Sequence, residues 1–132
     1  MTKAAADFWE RAKESLDVAR RILAASPDIA ASRAYYAAFY AVSAWFVLED
    51  RIHKKHSAVE VAVHRDLVNS GIMTSGFGDD YSHLFRLRAI GDYGVSEHVS
   101  PEEAAGAVES AAGILRAIAR ANPFFKLAPL DH

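Results

Sequence analysis

The stretch Ser32–Phe46, SRAYYAAFYAVSAWF, carries no charged residue after Arg33. Alanines, tyrosines and the aromatic pair Trp45–Phe46 cover nearly its whole circumference if it is helical. A helix apolar all round must be covered on several sides. It therefore sits at the centre of a bundle, or one of its faces meets a partner chain. A membrane span is not expected. Such a helix needs roughly 20 largely apolar residues, and here Arg33 and Glu49 close the run off.

The rest of the chain supports a bundle. Its 132 residues imply one domain, 1–132, long enough to bury a core without staples. Apolar content is 52% and charged content 24%, which excludes a disordered chain. The formal net charge of -2 supplies no bulk attraction to nucleic acid or anionic membrane, so any polyanion site must be a local patch. With no cysteine, a disulfide framework, a thiolate metal site and a thiol nucleophile are all excluded. A reducing compartment fits, and a cytoplasmic location is expected. The opening MTKAAADFWERAKESL mixes charges into its apolar residues and does not read as a signal peptide.

Strand signals are weak and helix signals recur. Phe8, Ala12, Leu16, Ala19 and Leu23 repeat at helical spacing and predict a first helix over about 4–25, ended by Ser26-Pro27-Asp28. The central helix follows over about 28–50. Ser57, with Glu60 three residues on, predicts a capping box opening a third helix that stops near Gly71. GIMTSGFGDD reads as a glycine-rich loop, with Asp79 or Asp80 capping a fourth helix that ends at Gly94. Ser100-Pro101-Glu102-Glu103 combines a cap, a first-turn proline and a reciprocal glutamate. The fifth helix runs from there to about Asn122, where Pro123 stops it. The tail from about 123–132 carries two phenylalanines and two leucines and is expected to dock on the bundle or on a partner. The expected fold is all-α, a five-helix up-and-down bundle.

One segment concentrates phosphate-binding chemistry. In RIHKKH, Arg51, Lys54 and Lys55 are cations, and His53 and His56 add charge when protonated. The start of the third helix adds unpaired N–H groups. The competing reading is a solvated basic loop in which His56 hydrogen-bonds at the helix start. Arg33 has two readings as well. It either pairs with a carboxylate, with Asp28, Asp92 and Glu97 as candidates, or binds phosphate in a cleft. His56, Glu60 and His64 are four apart, a spacing that can ligate zinc, but no fourth ligand accompanies them. No metal site and no cofactor is expected; SGFGDD lacks the lysine of a P-loop, and no G-x-S-x-G elbow occurs. Arg88 and Asp92, at i and i+4, can pair, weakly if exposed, with Tyr93 packing inward, and the segment reads as fold-setting. Gly91 beside them is expected to weaken its helix end by about 1 kcal/mol relative to alanine. Tyr35, Tyr36, Phe39 and Tyr40 suit core and dimer packing, or base stacking.

Four segments occur in order: SRAYYAAFYA, KKHS, LFRLRAIGDY and VSPEEAAGAVESA. Together they resemble the small bacterial and archaeal HEPN-domain proteins (higher eukaryote and prokaryote nucleotide-binding), over nearly the whole chain. The resemblance implies a four- to five-helix bundle, commonly a homodimer. It also implies a minimal nucleotidyltransferase as partner in toxin–antitoxin pairs. Several such proteins cut RNA without a metal through an Arg-x(4–6)-His motif from each protomer in a shared cleft. Arg51 and His56 have that spacing, though the best-known family nucleases carry the motif on or beside a late helix. On that resemblance Arg51 and His56 are the candidate catalytic pair, and Arg51, His53, Lys54, Lys55 and Arg33 the candidate RNA-binding set. The alternative is a non-catalytic interaction or dimerisation domain.

Overall fold

The computed structural model describes residues 2–127. The described residues form five α-helices: α1 (Thr2–Ile22), α2 (Pro27–Leu48), α3 (His56–Ala62), α4 (Ser75–Tyr93) and α5 (Pro101–Ala121). There is no strand among the described residues. The all-α expectation holds. The tail residues 128–132 lie outside the described residues; ahead of them, Phe125 packs against Trp9 and Trp45 at ring separations of 5.1 and 6.2 Å. The Trp9 indole N–H donates to the Lys126 carbonyl at 2.9 Å.

The central rod is α2, which packs against all four other helices. Thirteen of its 22 residues are buried, leaving only a stripe for other contacts. Alanines at 30, 34, 37, 38, 41 and 44 are fully buried and let neighbours approach closely. On α1 the answering face is Ala5, Ala12 and Ala19, seven residues apart, with Trp9 and Leu16 between them. The half-exposed stripe of α2 runs through Arg33, Tyr36, Tyr40 and Ser43, with Phe39 beside it.

Local chemistry sets the ends. Ser26 caps α2 by accepting from the Ile29 N–H, and Pro27 fills the first turn. The end of α2 is a Schellman turn: Arg51 N–H reaches Phe46 O at 2.8 Å and Asp50 N–H reaches Val47 O at 3.0 Å. Asp50 takes the left-handed position at φ 61°, which short polar residues tolerate. For α5, the Ser100–Glu103 capping box forms in both directions.

Three expectations are corrected. The cap of α3 is Lys55, with no side-chain hydrogen bond, so the Ser57–Glu60 box does not form. The helix then widens into a π-helical turn over Val63–Val68, closed by Asn69 N–H to His64 O at 2.9 Å. The segment taken for a glycine-rich loop is largely helix. Thr74 caps α4 by accepting from the Phe77 N–H, and the helix includes Gly76 and Gly78. Gly78 is where the ring of His64 lies: a Cβ there would sit 2.9 Å from the imidazole.

The third correction concerns Gly91. A Cβ at this position would lie 2.5 Å from the backbone oxygen of Asp28, so α4 crosses the start of α2 too closely for any side chain. The glycine is a packing requirement that outweighs its helix propensity. By contrast nothing lies within 4 Å of a Cβ built at Gly106 or Gly113 on α5. Gly91→Ala should therefore lower stability by about 1–3 kcal/mol. Gly106→Ala and Gly113→Ala should each raise it by about 0.5–1 kcal/mol. Urea unfolding of the three variants checks both signs.

Candidate nucleic-acid interface

Where α2, the start of α3 and the end of α4 meet, the fold collects polar groups inside an aromatic frame. Tyr35 is fully buried, and its hydroxyl is 2.7 Å from Nδ1 of His56. Burial pushes the Tyr35 phenol up to about 12, so it stays neutral. The imidazole of His56 is framed by the rings of Tyr35, Tyr36 and Phe39, the last at 4.5 Å. Beneath, the Tyr81 hydroxyl is buried without a hydrogen-bond partner among the described residues, and Tyr35, Glu60 and Arg88 act on it electrostatically.

Arg88 enters from α4. Its side chain is only 14% exposed, and its guanidinium lies over Tyr35 and Phe85, at 5.4 Å from each ring centre, and over Tyr93 at 5.6 Å. The Tyr36 hydroxyl is a further partner. Asp92 is 4.0 Å away, the outer limit of an ion pair, because it is engaged by the Ser32 hydroxyl. The Arg88 Nε is buried with no partner. Arg88 is thus a partly paired cation held beside a histidine.

That environment determines the histidine's charge. Burial lowers the His56 pKa below 6.5, the Arg88 cation lowers it further, and Asp92 opposes them. His56 is therefore neutral at physiological pH. The Tyr35 contact occupies Nδ1 and leaves Nε2 as the nitrogen for a ligand.

The structure separates the residues singled out from sequence. Arg51, redirected by the Schellman turn, pairs with Glu49 and, at 2.8 Å, with Asp66, and lies over the Phe46 ring. Hydrogen bonding from Arg65, together with the charges of Arg65 and Arg51, holds the Asp66 carboxyl down to about 2. His53 packs edge-on against Phe46 with its Nε2 buried and unpartnered. With Lys54, Phe8, Ser43 and Val59, they line a mainly apolar cleft of about 290 Å³. Lys55 is exposed at the N-cap of α3. Arg33 lies over the Tyr36 ring at 4.6 Å, and among the described residues none of its three expected carboxylates pairs with it. Asp28 instead accepts from the Val99 N–H and faces His98, both at 2.7 Å.

So His56 and Arg33 flank Tyr36 on one side, while Arg51, His53 and Lys54 surround a separate cleft. Phe39 touches both. His64 is bound to Ser82 at 2.7 Å, away from His56. The residue that sequence reasoning underrated is Arg88. Its signal was positional: it falls on the same helical face as Tyr81 and Leu84, a charge on an otherwise buried stripe.

The HEPN domain family matches this chain over residues 5–121. The chain belongs to the HEPN family. Two relatives agree. A UPF0332 protein of Thermotoga maritima is 35% identical over 114 residues, covering 85% of this chain and 86% of that protein. A UPF0332 protein of Gloeobacter violaceus is 35% identical over 107 residues, covering 79% and 84%. Among the described residues no helix of this HEPN protein is long and apolar enough to cross a membrane, and no cluster of three or more His, Asp or Glu side chains is arranged to hold a metal.

The lowered His56 pKa fixes a sign for stability. Between it and the ordinary 6.5, the unfolded chain holds more protons than the folded one. Stability therefore rises with pH across that window and is lost on acidification. The carboxylates held low, Asp28 and Asp66, act only in more acidic solution. Thermal melts should show the melting temperature falling as pH drops from about 8 to about 5. His56→Gln, which cannot take up the proton, should flatten that slope.

Proposed function

We propose that this HEPN protein is an RNA-directed module that cleaves a phosphodiester without a metal, with His56 and Arg88 as its working pair. One observation carries the reading: the ring of Tyr35 holds His56 through its hydroxyl and carries the Arg88 guanidinium over its face. An arginine and a neutral histidine, far apart in sequence, are thereby fixed side by side. Arg88 lies on a late helix, as the family's arginine does, although no histidine follows it at the family's spacing. Arg51 is the alternative arginine by spacing, but two carboxylates already share its charge.

The chemistry follows from the two groups. With its Nδ1–H donating to the Tyr35 oxygen, neutral His56 takes the proton of an RNA 2′-hydroxyl through Nε2. The freed oxygen attacks the neighbouring phosphorus, and Arg88 stabilises the charge growing on the phosphorane oxygens. The 5′-oxygen leaves with a proton, giving a 2′,3′-cyclic phosphate and a 5′-hydroxyl. One protomer supplies one such imidazole. Protonated by the first transfer, it returns that proton to the departing 5′-oxygen, and a homodimer belongs to the reading on the strength of the family resemblance. A minimal nucleotidyltransferase as further partner in a toxin–antitoxin pair, and a cytoplasmic location, complete this reading on the strength of the family resemblance.

A second reading rests on the half-exposed stripe of Tyr36, Phe39 and Tyr40, whose rings contact one another and of which Tyr40 stacks with Phe8 of α1. An aromatic face of this kind also suits a purely protein-binding module. Gel shifts at low and high salt separate the two, because RNA binding weakens steeply with salt and an interaction module shows none.

Cleavage of a mixed RNA in the presence of EDTA tests the assignment. Arg88→Ala and His56→Gln should each slow it by about 100-fold or more, and Arg51→Ala by only a few-fold. Circular dichroism confirms that each variant folds. Cleavage that needs a divalent metal, or that survives Arg88→Ala and dies with Arg51→Ala, overturns it.

A further inference from the structure

Beside Arg88 the surface is unusual in one respect. Tyr93, the last residue of α4, does not pack inward as its sequence context predicts but is 70% exposed, and Val95 two residues on is 92% exposed. An exposed tyrosine gains nothing from burial here. The other tyrosines of this region, 35, 36 and 81, are all buried or half-buried. Tyr93 also has a fixed neighbour, since the Arg88 guanidinium lies 5.6 Å from its ring centre. The backbone around it is held on both sides. Gly94 closes α4 by donating to Ile90 O at 2.9 Å, and a Cβ at Gly94 would collide with the carbonyls of Ile90 and Glu97. Further on, Val99 N–H and His98 are tied to Asp28. The ring therefore projects from a fixed corner and not from a loose loop.

An aromatic face in water, next to a cation that is only partly paired, presents two recognition elements side by side. The cation suits a phosphate, and the ring suits the flat face of a nucleobase. A duplex hides its base faces inside the stack, whereas an unpaired strand presents them. We infer that Tyr93 is a base-stacking platform that selects single-stranded RNA and sets which phosphate falls between Arg88 and His56. This rests on the RNA reading above and assigns Tyr93 a positioning role within it.

The experiment uses the full chain and two fluorescent probes of the same sequence, a 2′-O-methyl single strand and its duplex. The methylated 2′-oxygen blocks cleavage, so the readout is binding alone. The wild-type protein should prefer the single strand. Tyr93→Ala should weaken single-strand binding by roughly five- to a hundredfold, while Tyr93→Phe and Tyr93→Trp retain it, because stacking needs the ring and not the hydroxyl. On unmodified RNA, Tyr93→Ala should also shift the cleavage positions. Sedimentation of Tyr93→Ala separates stacking from assembly: an altered oligomer, or equal binding of both probes, overturns the inference, as does loss of binding in Tyr93→Phe. If the wild-type protein binds neither probe, the RNA reading itself fails. If it binds and Tyr93→Ala binds equally well, only the platform fails.

Discussion

Close approach to α2 is the constraint on which the other features rest. Its fully buried alanines bring α1, α4 and α5 against one helix with little side-chain bulk between them. At such spacing a few large groups must share the remaining volume, and Tyr35 and Tyr81 are the largest of the fully buried side chains. The Tyr35 hydroxyl cannot reach water, so it needs a polar partner inside the bundle. His56 meets that need, and Arg88 covers the ring. The polar cluster is thus a consequence of how tightly the rod is wrapped. The same closeness explains Gly91, where α4 passes directly over the carbonyl of Asp28.

The electrostatics of this corner differ from those of the molecule as a whole. The chain carries a formal net charge of -2, yet here Arg88 acts on His56 with Asp92 opposing it, and Arg33 lies over the neighbouring Tyr36 ring. Some cations elsewhere are balanced locally: Lys3 with Asp7, Arg21 with Asp17, and Arg51 with Glu49 and Asp66. Exposed pairs of that kind contribute little to stability. They do cancel long-range attraction for a polyanion. A ligand phosphate would therefore find its strongest field where pairing is least complete.

How far the chain could be read in advance depended on whether a feature was local. The Ser100 capping box, the stop at Pro123 and the Gly94 terminus are local chemistry and were legible, as was the central position of an all-apolar helix. The start of α4 was not. Glycines at 76 and 78 read as breakers, but Gly78 is needed to make room for His64 across a contact 14 positions distant in sequence. Gly91 was legible as a weak helix former and illegible as a crossing point, since Asp28 is 63 positions away. The widened turn at Val63–Val68 left no mark in the pattern. Its effect is to place His64 against Ser82 and Asp66 against Arg51.

The same distinction governs the site. Spacing along the chain stands in for geometry only while the backbone stays regular between the two residues. Between Arg51 and His56 it does not. The left-handed turn at Asp50 sends Arg51 toward Asp66, while the start of α3 turns His56 toward Tyr35. Arg88 is on the opposite side of the sequence from both, yet its charge reaches His56 directly. Its own state is informative. A side chain 14% exposed, with a buried Nε that has no partner and a carboxylate only at 4.0 Å, is incompletely compensated. Desolvating a guanidinium without full pairing opposes folding. An anion bound at its rim would supply the missing compensation, so the arrangement that is unfavourable in the free protein favours the occupied one.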